Sequence, residues 1–401
     1  MDLKNKNILL GVTGGIAVYK SVELLRLLKK AGANVDVVMT ESAQKFVGKA
    51  TFEVLSEKPV LTDLWNDAEG GVAHIEMASR AHAAVIAPAT ANTIAKLAHA
   101  MADDALSTTL TAVTAPIMVC PSMNTDMYQN IRVQRNLDIL EEDGVHILDP
   151  DSGALACKTV GAGRLPEPWF IFDRIQALLT PKDFKGKKIL ISAGPTRESI
   201  DPVRYVSNHS SGKMGYAVAR AAENRGAEVT LVSGPVNIDV PVGVNCIPVE
   251  SCAQMGQAML EQLEEADIII KVAAVADYRP VDPKDKKIKK TGDNADLSLS
   301  MTENMDILKR IGQLKTKDQF LVGFAAETND LTAHALKKME KKNLDMIAAN
   351  LVGGSDSGFG VDTNKVKLFH RDGRVQDIPL MDKSQVADKL LDTILGSVNH
   401  G

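Results

Sequence analysis

Glycine follows a short apolar segment at two places in the chain, and both places could bind a phosphate. The first segment runs from Asn7 to Gly15 and the second from Lys188 to Thr196. A strand that enters a helix through glycine leaves backbone N–H groups free to meet an anion. The same pattern is also that of an ordinary tight turn, and the glycines alone do not decide between the two. Neither turn has the spacing of a dinucleotide fingerprint or of a P-loop.

Hydroxyl side chains follow the second predicted strand of the first half. Thr40 and Ser42 stand just after the apolar run that ends at Met39. Hydroxyl groups at the carboxyl end of a strand suit a ribityl chain or a phosphate better than the ribose diol of a dinucleotide. These two residues are therefore candidates for binding such a ligand.

Two asparagines follow the next two strands, in the region where open α/β sheets bind their ligands. Asn92 comes after Pro88, and Asn124 comes after Pro121. The prolines end their strands, and Asn92 is equally well explained as a helix cap. Asn124 differs because Met123 beside it offers a soft apolar surface that suits a planar ligand.

The positions of the apolar segments predict two α/β domains, because short strands alternate with helices as in a parallel sheet. In the first half, strands are predicted near 7–12, 34–39, 83–87, 116–120 and 145–148, and helices near 16–31, 91–101, 104–112, 131–143 and 168–179. In the second half, strands are predicted near 188–192, 228–232, 245–249, 267–272, 320–324 and 345–349, and helices near 213–225, 252–264, 329–342 and 384–395. Three further segments are predicted as a polar boundary at 179–187, a loop at 279–296 and a hairpin at 365–379 that turns at Asp372-Gly373.

Composition limits the classes of function. A length of 401 residues allows two or three domains, and a net charge of -5 argues against nucleic acid as a partner. The 4 cysteines form no Cys-x-x-Cys pair, which favours a reducing compartment and no structural zinc. The N-terminus lacks a secretory segment, and the longest apolar run, at 268–276, is short and carries Lys271. A buried strand is therefore predicted there rather than a membrane span, in a cytoplasmic protein.

Four short motifs of the first half resemble those of the flavin-containing cysteine decarboxylases. They are Thr13–Ala17, His74–Glu76, Ala87–Thr93 and Pro121–Asn124. Each motif is short, but the four together are specific. The resemblance implies a flavodoxin-like flavoprotein domain, predicted here as residues 1–188.

The second half carries two motifs that closely resemble those of phosphopantothenate–cysteine ligases, namely Ser192–Glu198 and Asp201–Gly215. The resemblance implies a second Rossmann-like parallel-sheet domain, predicted as residues 189–401, that binds a nucleotide. The order of the two halves is similar to that in the bifunctional coenzyme A biosynthesis flavoproteins. This resemblance covers nearly the whole chain.

The ligase resemblance implies that 4′-phosphopantothenate is joined to L-cysteine. In the family, CTP activates the carboxylate as an acyl-cytidylate, pyrophosphate leaves, and the cysteine amine attacks. Such a step needs cations at the triphosphate and hydrogen-bond donors at the acyl phosphate. Mg²⁺ is implied by the triphosphate, and its protein ligands are left open.

Residues of the second half are assigned to this chemistry by their match to the family. Asn208 is the catalytic residue that contacts the activated intermediate, and Asp277 meets the nucleotide or a metal. The other nucleotide contacts are Lys287, Asn304, Met305, Asp306, Ile307, Phe324, Lys338 and Lys342. Lys338 and Lys342 are four residues apart, so one helix face presents both ammonium groups. Without the family, these lysines are equally well explained as solvated surface, and Asp277 as a turn cap.

The decarboxylase resemblance implies that the ligase product loses CO2 to give 4′-phosphopantetheine. FMN carries the difficult step by taking a hydride from the thiol-bearing carbon and returning it after CO2 has left. His74 matches the base that assists thiol oxidation, Asn124 the group that holds the carboxylate, and Cys157 the acid that protonates the product. The FMN contacts are assigned to Thr13, Gly14, Gly15, Thr40, Ser42, Thr90, Asn92, Thr93 and Met123.

Three positions depart from the family pattern. Gly15 stands where serine is frequent and Ser122 where alanine is commoner, and because both residues are small we expect flavin binding to be retained. The third departure concerns the substrate. Some relatives place an arginine five residues after the catalytic histidine to grip the substrate. Here Ser79 stands at that position and Arg80 follows it. The residue that grips the substrate in this half is therefore left open.

The resemblance also implies a homo-oligomer, with flavin held between subunits. A trimeric decarboxylase combined with a dimeric ligase gives a dodecamer. Two other functional classes stay open as alternatives. A dinucleotide-dependent oxidoreductase with a duplicated Rossmann unit would retain NAD(P) and consume no CTP. A flavin- or nucleotide-binding regulator would tolerate the loss of His74 and Cys157.

Overall fold

The computed structural model describes residues 3–65, 72–154, 160–289, 297–327, 331–351 and 360–398. The chain forms two compact units, Met1–Thr180 and Pro181–Gly401. The residues just before 188 belong with the second unit, since Phe184 is buried in its core. The division between two functional domains at residue 188 stays a prediction.

The first unit is built on a five-stranded parallel sheet with a separate antiparallel hairpin. The sheet strands are β1 (Asn7–Val12), β2 (Asn34–Met39), β3 (Ala83–Ala89), β4 (Ile117–Pro121) and β5 (His146–Ile147), and the hairpin strands are β6 (Asp151–Ala154) and β7 (Val160–Arg164). The helices are α1 (Val18–Lys30), α2 (Glu41–Gln44), α3 (Lys49–Ser56), α4 (Ala73–Arg80), α5 (Ala91–Ala98), α6 (Ala105–Thr111), α7 (Thr125–Tyr128), α8 (Ile131–Glu142) and α9 (Pro168–Leu179). The strand order β2-β1-β3-β4-β5 is the flavodoxin-like order, so the fold predicted for this half is confirmed.

Helices cover both faces of this sheet, and its strands are therefore apolar on both sides. Within β1, Ile8 and Leu10 pack in one cluster with side chains of α1 and α9. Leu9 between them packs in a second cluster with side chains of α5, α6 and α8. Polar side chains are consequently concentrated at the strand ends, where a ligand can reach them.

The second unit is built on an eight-stranded sheet in the order β12-β11-β8-β13-β16-β17-β18-β19. Its strands are β8 (Lys188–Ala193), β9 (Arg197–Ser199), β10 (Tyr205–Ser207), β11 (Glu228–Ser233), β12 (Asn245–Pro248), β13 (Ile268–Lys271), β14 (Tyr278–Pro280), β15 (Met301–Glu303), β16 (Phe320–Glu327), β17 (Met346–Leu351), β18 (Thr363–His370) and β19 (Val375–Asp382). Its helices are α10 (Lys213–Asn224), α11 (Cys252–Glu261), α12 (Ile307–Leu314), α13 (Leu331–Lys341) and α14 (Lys383–Val398).

The first six strands of this order are parallel, and β18 and β19 form an antiparallel edge. The predicted parallel-sheet domain is therefore confirmed. The predicted hairpin is also confirmed: Gly373 takes a φ of +88° and donates its amide hydrogen to the carbonyl of His370. In the described part of the chain, no helix is long and apolar enough to span a membrane.

Several short elements were not predicted from the sequence. In the first unit they include α4, which carries His74, and the hairpin of β6 and β7. In the second unit they include α12 and the two-stranded pairs β9–β10 and β14–β15. The strands of these pairs and of the hairpin have few residues, so their apolar patterns are too short to show a period.

Arg225, at the end of α10, joins the start of the second unit to its last helix. Its guanidinium bonds Asp183 at 2.8 and 2.6 Å and Asp392 at 2.8 Å, and lies 4.8 Å from the ring centre of Phe184. Burial disfavours the charge, but the two carboxylates outweigh burial and raise the pKa of Arg225 above its ordinary value.

Replacing Arg225 with methionine should destabilise the second unit. The Arg225→Met variant loses both ion pairs and leaves carboxylates facing an apolar side chain, so its free energy of unfolding should fall by about 2 kcal/mol. Denaturant titration of the full chain measures this change. The exposed Arg310 on α12 offers a matched control, and Arg310→Met should stay within about 0.5 kcal/mol of the parent. Equal stability of the two variants would contradict the assignment.

Candidate functional site

A cavity of about 810 Å³ opens in the second unit where the strand order reverses. The chain leaves β8 toward β11 on one side and leaves β13 toward β16 on the other. Parallel sheets bind ligands at such a switch point, beyond the carboxyl ends of the strands. The cavity is lined there by Gly194 after β8 and by residues 272–277 after β13.

The two turns at the switch point are bonded to each other. Ala274 donates its amide hydrogen to the carbonyl of Gly194 at 3.0 Å, and Ala276 donates to the hydroxyl of Thr196 at 2.9 Å. Asn208, which is exposed and lines the cavity, donates its side-chain amide to the carbonyls of Ala274 and Val275 at 3.0 and 3.1 Å. The structure therefore places Asn208 in the lining of this cavity, bonded to the turn after β13.

Lysines of α13 and of the residue that follows it line the same cavity. Lys338 and Lys342 both reach it, as their four-residue spacing predicts, whereas Lys337 is exposed. Lys342 pairs with Asp306 at 2.8 Å. Burial opposes ionisation of Asp306, but hydrogen bonds from Lys342 and from the amide of Lys309 outweigh it and hold the carboxyl pKa below its ordinary value.

Lys271 is a cavity residue that the sequence reasoning did not assign. It ends β13, lines the cavity and donates to the carbonyl of Ala273 at 3.0 Å. Burial, followed by the charges of Lys342 and Lys338, lowers its pKa to about 8. The sequence did contain a sign of this site, because Lys271 is the single charged residue in the apolar run at 268–276.

A second cationic region lies at the start of α10, after Gly212, whose φ is +79°. Lys213 and Lys383 both line the cavity there. Lys213 pairs with Asp362 at 2.6 Å. Burial and the charge of Lys213 lower the pKa of Lys383. Neither lysine was predicted as a contact. Lys213 lies within the motif Asp201–Gly215 but was given no role, and Lys383 stands far from that motif in the sequence.

The remaining predicted nucleotide contacts mostly reach the cavity. Those that line it are Asp277, Asn304, Met305, Asp306, Ile307 and Phe324. Asn304 connects its own loop to the turn after β13. Its side chain donates to the carbonyl of Ala276 at 2.8 Å and accepts from Arg279 at 3.0 Å. The side-chain amide of Asn304 therefore stabilises the loop that carries Met305.

Lys287 is exposed and is not among the described side chains that line the cavity. Its neighbour Ile288 is held firmly, however. The amide of Ile288 donates to Asp201 at 3.1 Å, and its carbonyl accepts from Arg204 at 3.0 Å. Asp201 is itself bonded to Arg204, so the backbone next to Lys287 is fixed on both sides.

In the first unit, the turn after β1 and the turn after β3 are joined through one buried hydroxyl. Thr13 donates to the carbonyl of Pro88 at 2.7 Å and accepts from the amide of Thr90 at 3.1 Å. Thr90 then caps α5 by accepting from the amide of Thr93. The Thr13 side chain faces inward, so only its backbone is left to meet a ligand. Asn92 is exposed on the first turn of α5.

The loop after β2 packs on the first glycine turn. Thr40 caps α2 by accepting from the amide of Ala43, and Ser42 is exposed. A Cβ at Gly14 would lie 2.4 Å from the Cβ of Ser42, whereas one at Gly15 would meet nothing within 4 Å. The predicted residues of these two loops are therefore neighbours.

Met123 and Asn124 follow β4 and contact the hairpin of β6 and β7. Met123 donates its amide hydrogen to the carbonyl of Gly163 at 3.0 Å, and a Cβ at Gly163 would lie 2.1 Å from the carbonyl oxygen of Met123. Asn124 caps α7 by accepting from the amide of Asp126. Cys157, predicted in the connection of this hairpin, lies outside the described residues.

His74 is half-buried on α4, which packs against α6. In the described residues no hydrogen bond joins its ring to the loop of Asn124. Arg80, at the end of α4, bonds the buried carboxylate of Asp36 at 2.9 and 2.8 Å. Lys58 bonds Asp36 as well, at 2.9 Å. The Arg80 guanidinium is thus engaged in the structure of the domain.

Metal and thiol sites are sparse in the described part of the chain. No group of three or more His, Cys, Asp or Glu side chains there is placed to hold a metal ion. Cys120, Cys246 and Cys252 are free thiols, and burial raises the pKa of Cys252 to about 11. Among the described cysteines, Cys252 is therefore a packing residue and not a nucleophile.

The two units thus define a two-domain α/β protein, with a lysine-lined switch-point cavity in one domain and polar loops at the carboxyl edge of the other. The Flavoprotein family matches residues 1–180, and the DNA/pantothenate metabolism flavoprotein C-terminal domain matches residues 184–397. The coenzyme A biosynthesis bifunctional protein CoaBC of Bacillus subtilis is 48% identical over 397 residues, which is 98% of this chain and 97% of that protein. The protein of the same name from Escherichia coli K12 is 44% identical over 398 residues, 98% of each chain.

A crystal structure of the C-terminal domain of a CoaBC protein is also similar. It is 41% identical, covers 55% of this chain and 100% of its own, and has a TM-score of 0.47. The chain belongs to the family of bifunctional coenzyme A biosynthesis proteins, as its motifs predict. It is an enzyme that combines a flavoprotein decarboxylase domain with a ligase domain.

Replacing Thr13 with valine tests the junction of the two loops in the first unit. Thr13→Val keeps the side-chain shape but leaves a buried carbonyl and an amide unpaired, so the free energy of unfolding of this domain should fall by about 2 kcal/mol. Thermal unfolding, together with flavin absorbance after gel filtration, measures both stability and flavin retention. Thr111→Val removes an exposed hydroxyl bonded within its own helix and serves as the control. Unchanged stability in Thr13→Val would show that the Thr13 hydroxyl does not hold the two turns together.

Proposed function

We propose that the second domain couples 4′-phosphopantothenate to L-cysteine with CTP, and that the first decarboxylates the product with FMN. The observation that carries the ligase half is the switch-point cavity, which gathers Asn208 and five lysines around one space. A triphosphate and an acyl phosphate both need such a concentration of positive charge. Full-length relatives named for coenzyme A biosynthesis support the same assignment.

The ligase cavity offers separate places for the parts of its substrates. Lys338 and Lys342 meet phosphate oxygens, and Asn304 holds the loop of Met305 against the nucleotide. Asn208, which lines the cavity, contacts the acyl-cytidylate. Lys287 approaches from a segment that Asp201 and Arg204 fix through the neighbouring backbone.

Mg²⁺ is proposed to enter with the triphosphate. Magnesium usually keeps several waters and binds through one or two carboxylates plus substrate phosphates. Asp277 lines the cavity and is suited to that role. A single carboxylate fits a metal that the nucleotide brings with it.

The loops of the first domain fit FMN. Space for a ligand is open at Gly15, where an added Cβ would meet nothing within 4 Å, and the hydroxyls of Thr40 and Thr90 stand at helix N-termini. Such groups suit the phosphate and the ribityl chain. The proposed FMN contacts are Thr13 through its backbone, Gly14, Gly15, Thr40, Ser42, Thr90, Asn92, Thr93 and Met123.

When bound, FMN supplies a two-electron acceptor for the thiol-bearing carbon of the substrate and returns the hydride after CO2 has left. His74 accepts the thiol proton, and Asn124 holds the carboxylate by neutral hydrogen bonds. Cys157 delivers the proton to carbon. Arg80 is bonded to Asp36, and the residue that grips the substrate in this half stays open.

A homo-oligomer is part of the proposal. Apolar side chains next to the first glycine turn face solvent in the single chain, with Ile16 64% and Tyr19 55% exposed. Contiguous apolar surface of this kind marks interaction sites. A trimer of first domains would cover it beside the flavin, and pairing of second domains would give a dodecamer in the cytoplasm.

Replacing His74 with asparagine should separate the two activities. The His74→Asn variant lacks the base for thiol oxidation, so CO2 release from phosphopantothenate, cysteine and CTP with magnesium should fall at least about 100-fold. Pyrophosphate release should match that of the parent enzyme. Both products are measured in one reaction, with the exposed His146→Asn variant as the control. Carbon dioxide released at the parental rate would rule out His74 as the base.

The two faces of α13 provide a test of the ligase cavity. Lys338→Met removes a charge that lines the cavity, so kcat/KM for CTP should fall about tenfold or more, about 1.4 kcal/mol in transition-state binding. Lys337→Met removes the neighbouring exposed charge and should change little. Pyrophosphate release at varied CTP measures both. If the two variants lose activity equally, this helix does not bind the triphosphate through its cavity face.

A further inference from the structure

The position of Lys271 gives it a different environment from the other lysines of the cavity. Its partner in the described residues is a neutral carbonyl, that of Ala273. The nearby carboxylate, Asp306, is bonded to Lys342 and to the amide of Lys309. Among the residues that the structure describes, no carboxylate is therefore bonded to Lys271, which lies at the end of a central strand.

The charged groups around Lys271 change the pKa of its amine. Lys338 and Lys342 face it from the α13 side and disfavour its protonated form, whereas Asp306 before α12 favours it. Cys252 on α11 also faces Lys271, but burial raises the pKa of this thiol to about 11 and keeps it uncharged near neutral pH. Burial is the largest influence, and the sum lowers the pKa to about 8. At pH 7 roughly a tenth of such an amine is neutral, against less than about a thousandth for an ordinary lysine.

We propose that Lys271 is a catalytic residue of the ligase half and accepts the proton that cysteine must lose before it attacks. This inference rests on the ligase function proposed above. The amino group of cysteine enters as an ammonium ion, which has no lone pair for attack. The neutral Lys271 amine takes one proton from it, and the freed nitrogen forms a bond to the acyl carbon.

The remaining steps balance within the same cavity. The bond between the acyl carbon and the phosphate oxygen breaks, and CMP leaves with the electron pair. The new amide nitrogen gives up its second proton to solvent, and Lys271 returns its own proton to solvent before the next turnover. Lys338 and Lys342 stay charged throughout and hold phosphate oxygens, which divides the lysines of one cavity into two roles.

Lys271→Arg distinguishes a base from an anion-binding cation, because arginine keeps the charge and does not give up its proton. With phosphopantothenate and CTP alone, the variant should still release pyrophosphate in a first turnover. With cysteine added, amide formation should fall at least about 100-fold. Hydroxylamine, whose nitrogen is already unprotonated at pH 7, should still capture the acyl-cytidylate as a hydroxamate.

The pH dependence provides a second readout. Because the base must be neutral, the cysteine-dependent rate of the parent should rise with pH up to about 8 and then level off. In Lys271→Arg that inflection should disappear. Lys271→Met, whose folding is followed by circular dichroism, should show the same loss with cysteine and the same capture by hydroxylamine.

The outcomes separate the two levels of the proposal. No pyrophosphate from the parent enzyme would overturn the ligase function itself. Pyrophosphate from the parent, together with normal amide formation in Lys271→Arg, would overturn the role of Lys271 alone. Loss of pyrophosphate release in Lys271→Met and its rescue in Lys271→Arg would make this lysine a phosphate contact.

Discussion

In both domains, the candidate site depends on the reversal of strand order at the carboxyl edge of a parallel sheet. Two adjacent strands end there, and the chain leaves them in opposite directions, so backbone groups of both turns lack partners within the sheet. The molecule satisfies some of them with side chains. Thr13 bonds a carbonyl and an amide in the first domain, and Asn208 bonds two carbonyls in the second. The backbone N–H and C=O groups of these turns that no side chain bonds are available to hydrogen-bond a ligand.

Charge in the second domain follows from the same constraint. The sheet is covered on both faces, so a lysine can enter only at a strand end or from a helix beside it. Lys271 takes the first route, and Lys338 and Lys342 take the second. Several like charges around one cavity repel one another, and the carboxylates of Asp306 and Asp362 each neutralise one of the cavity lysines.

The sequence predicted both sheets because their strands are continuous apolar runs, and helices such as α1 and α10 fill whole turns between them. It did not predict α4 or α12. Their length of 8 residues is not the reason, because α5 has the same length and was predicted. Site residues next to glycine turns could be predicted because the turn that positions them is adjacent in the sequence. Lys383 was missed because the cavity joins it to Lys213, about 170 positions away, and a sequence pattern carries no information about that contact. The roles of His74 and Cys157 stay predictions.

The ion pair between Lys342 and Asp306 gives the cavity an internal anion that competes with its ligands. A phosphate bound at the proposed nucleotide site would take Lys342 from its carboxylate partner, and on its release the carboxylate would bind the ammonium again. Asp306 is held in place for this exchange by the amide of Lys309 at the start of α12. Such a resident counter-ion weakens the binding of every anion alike, including the pyrophosphate of the proposed reaction. An enzyme that must release a highly charged product at each cycle gains in turnover what it gives up in affinity.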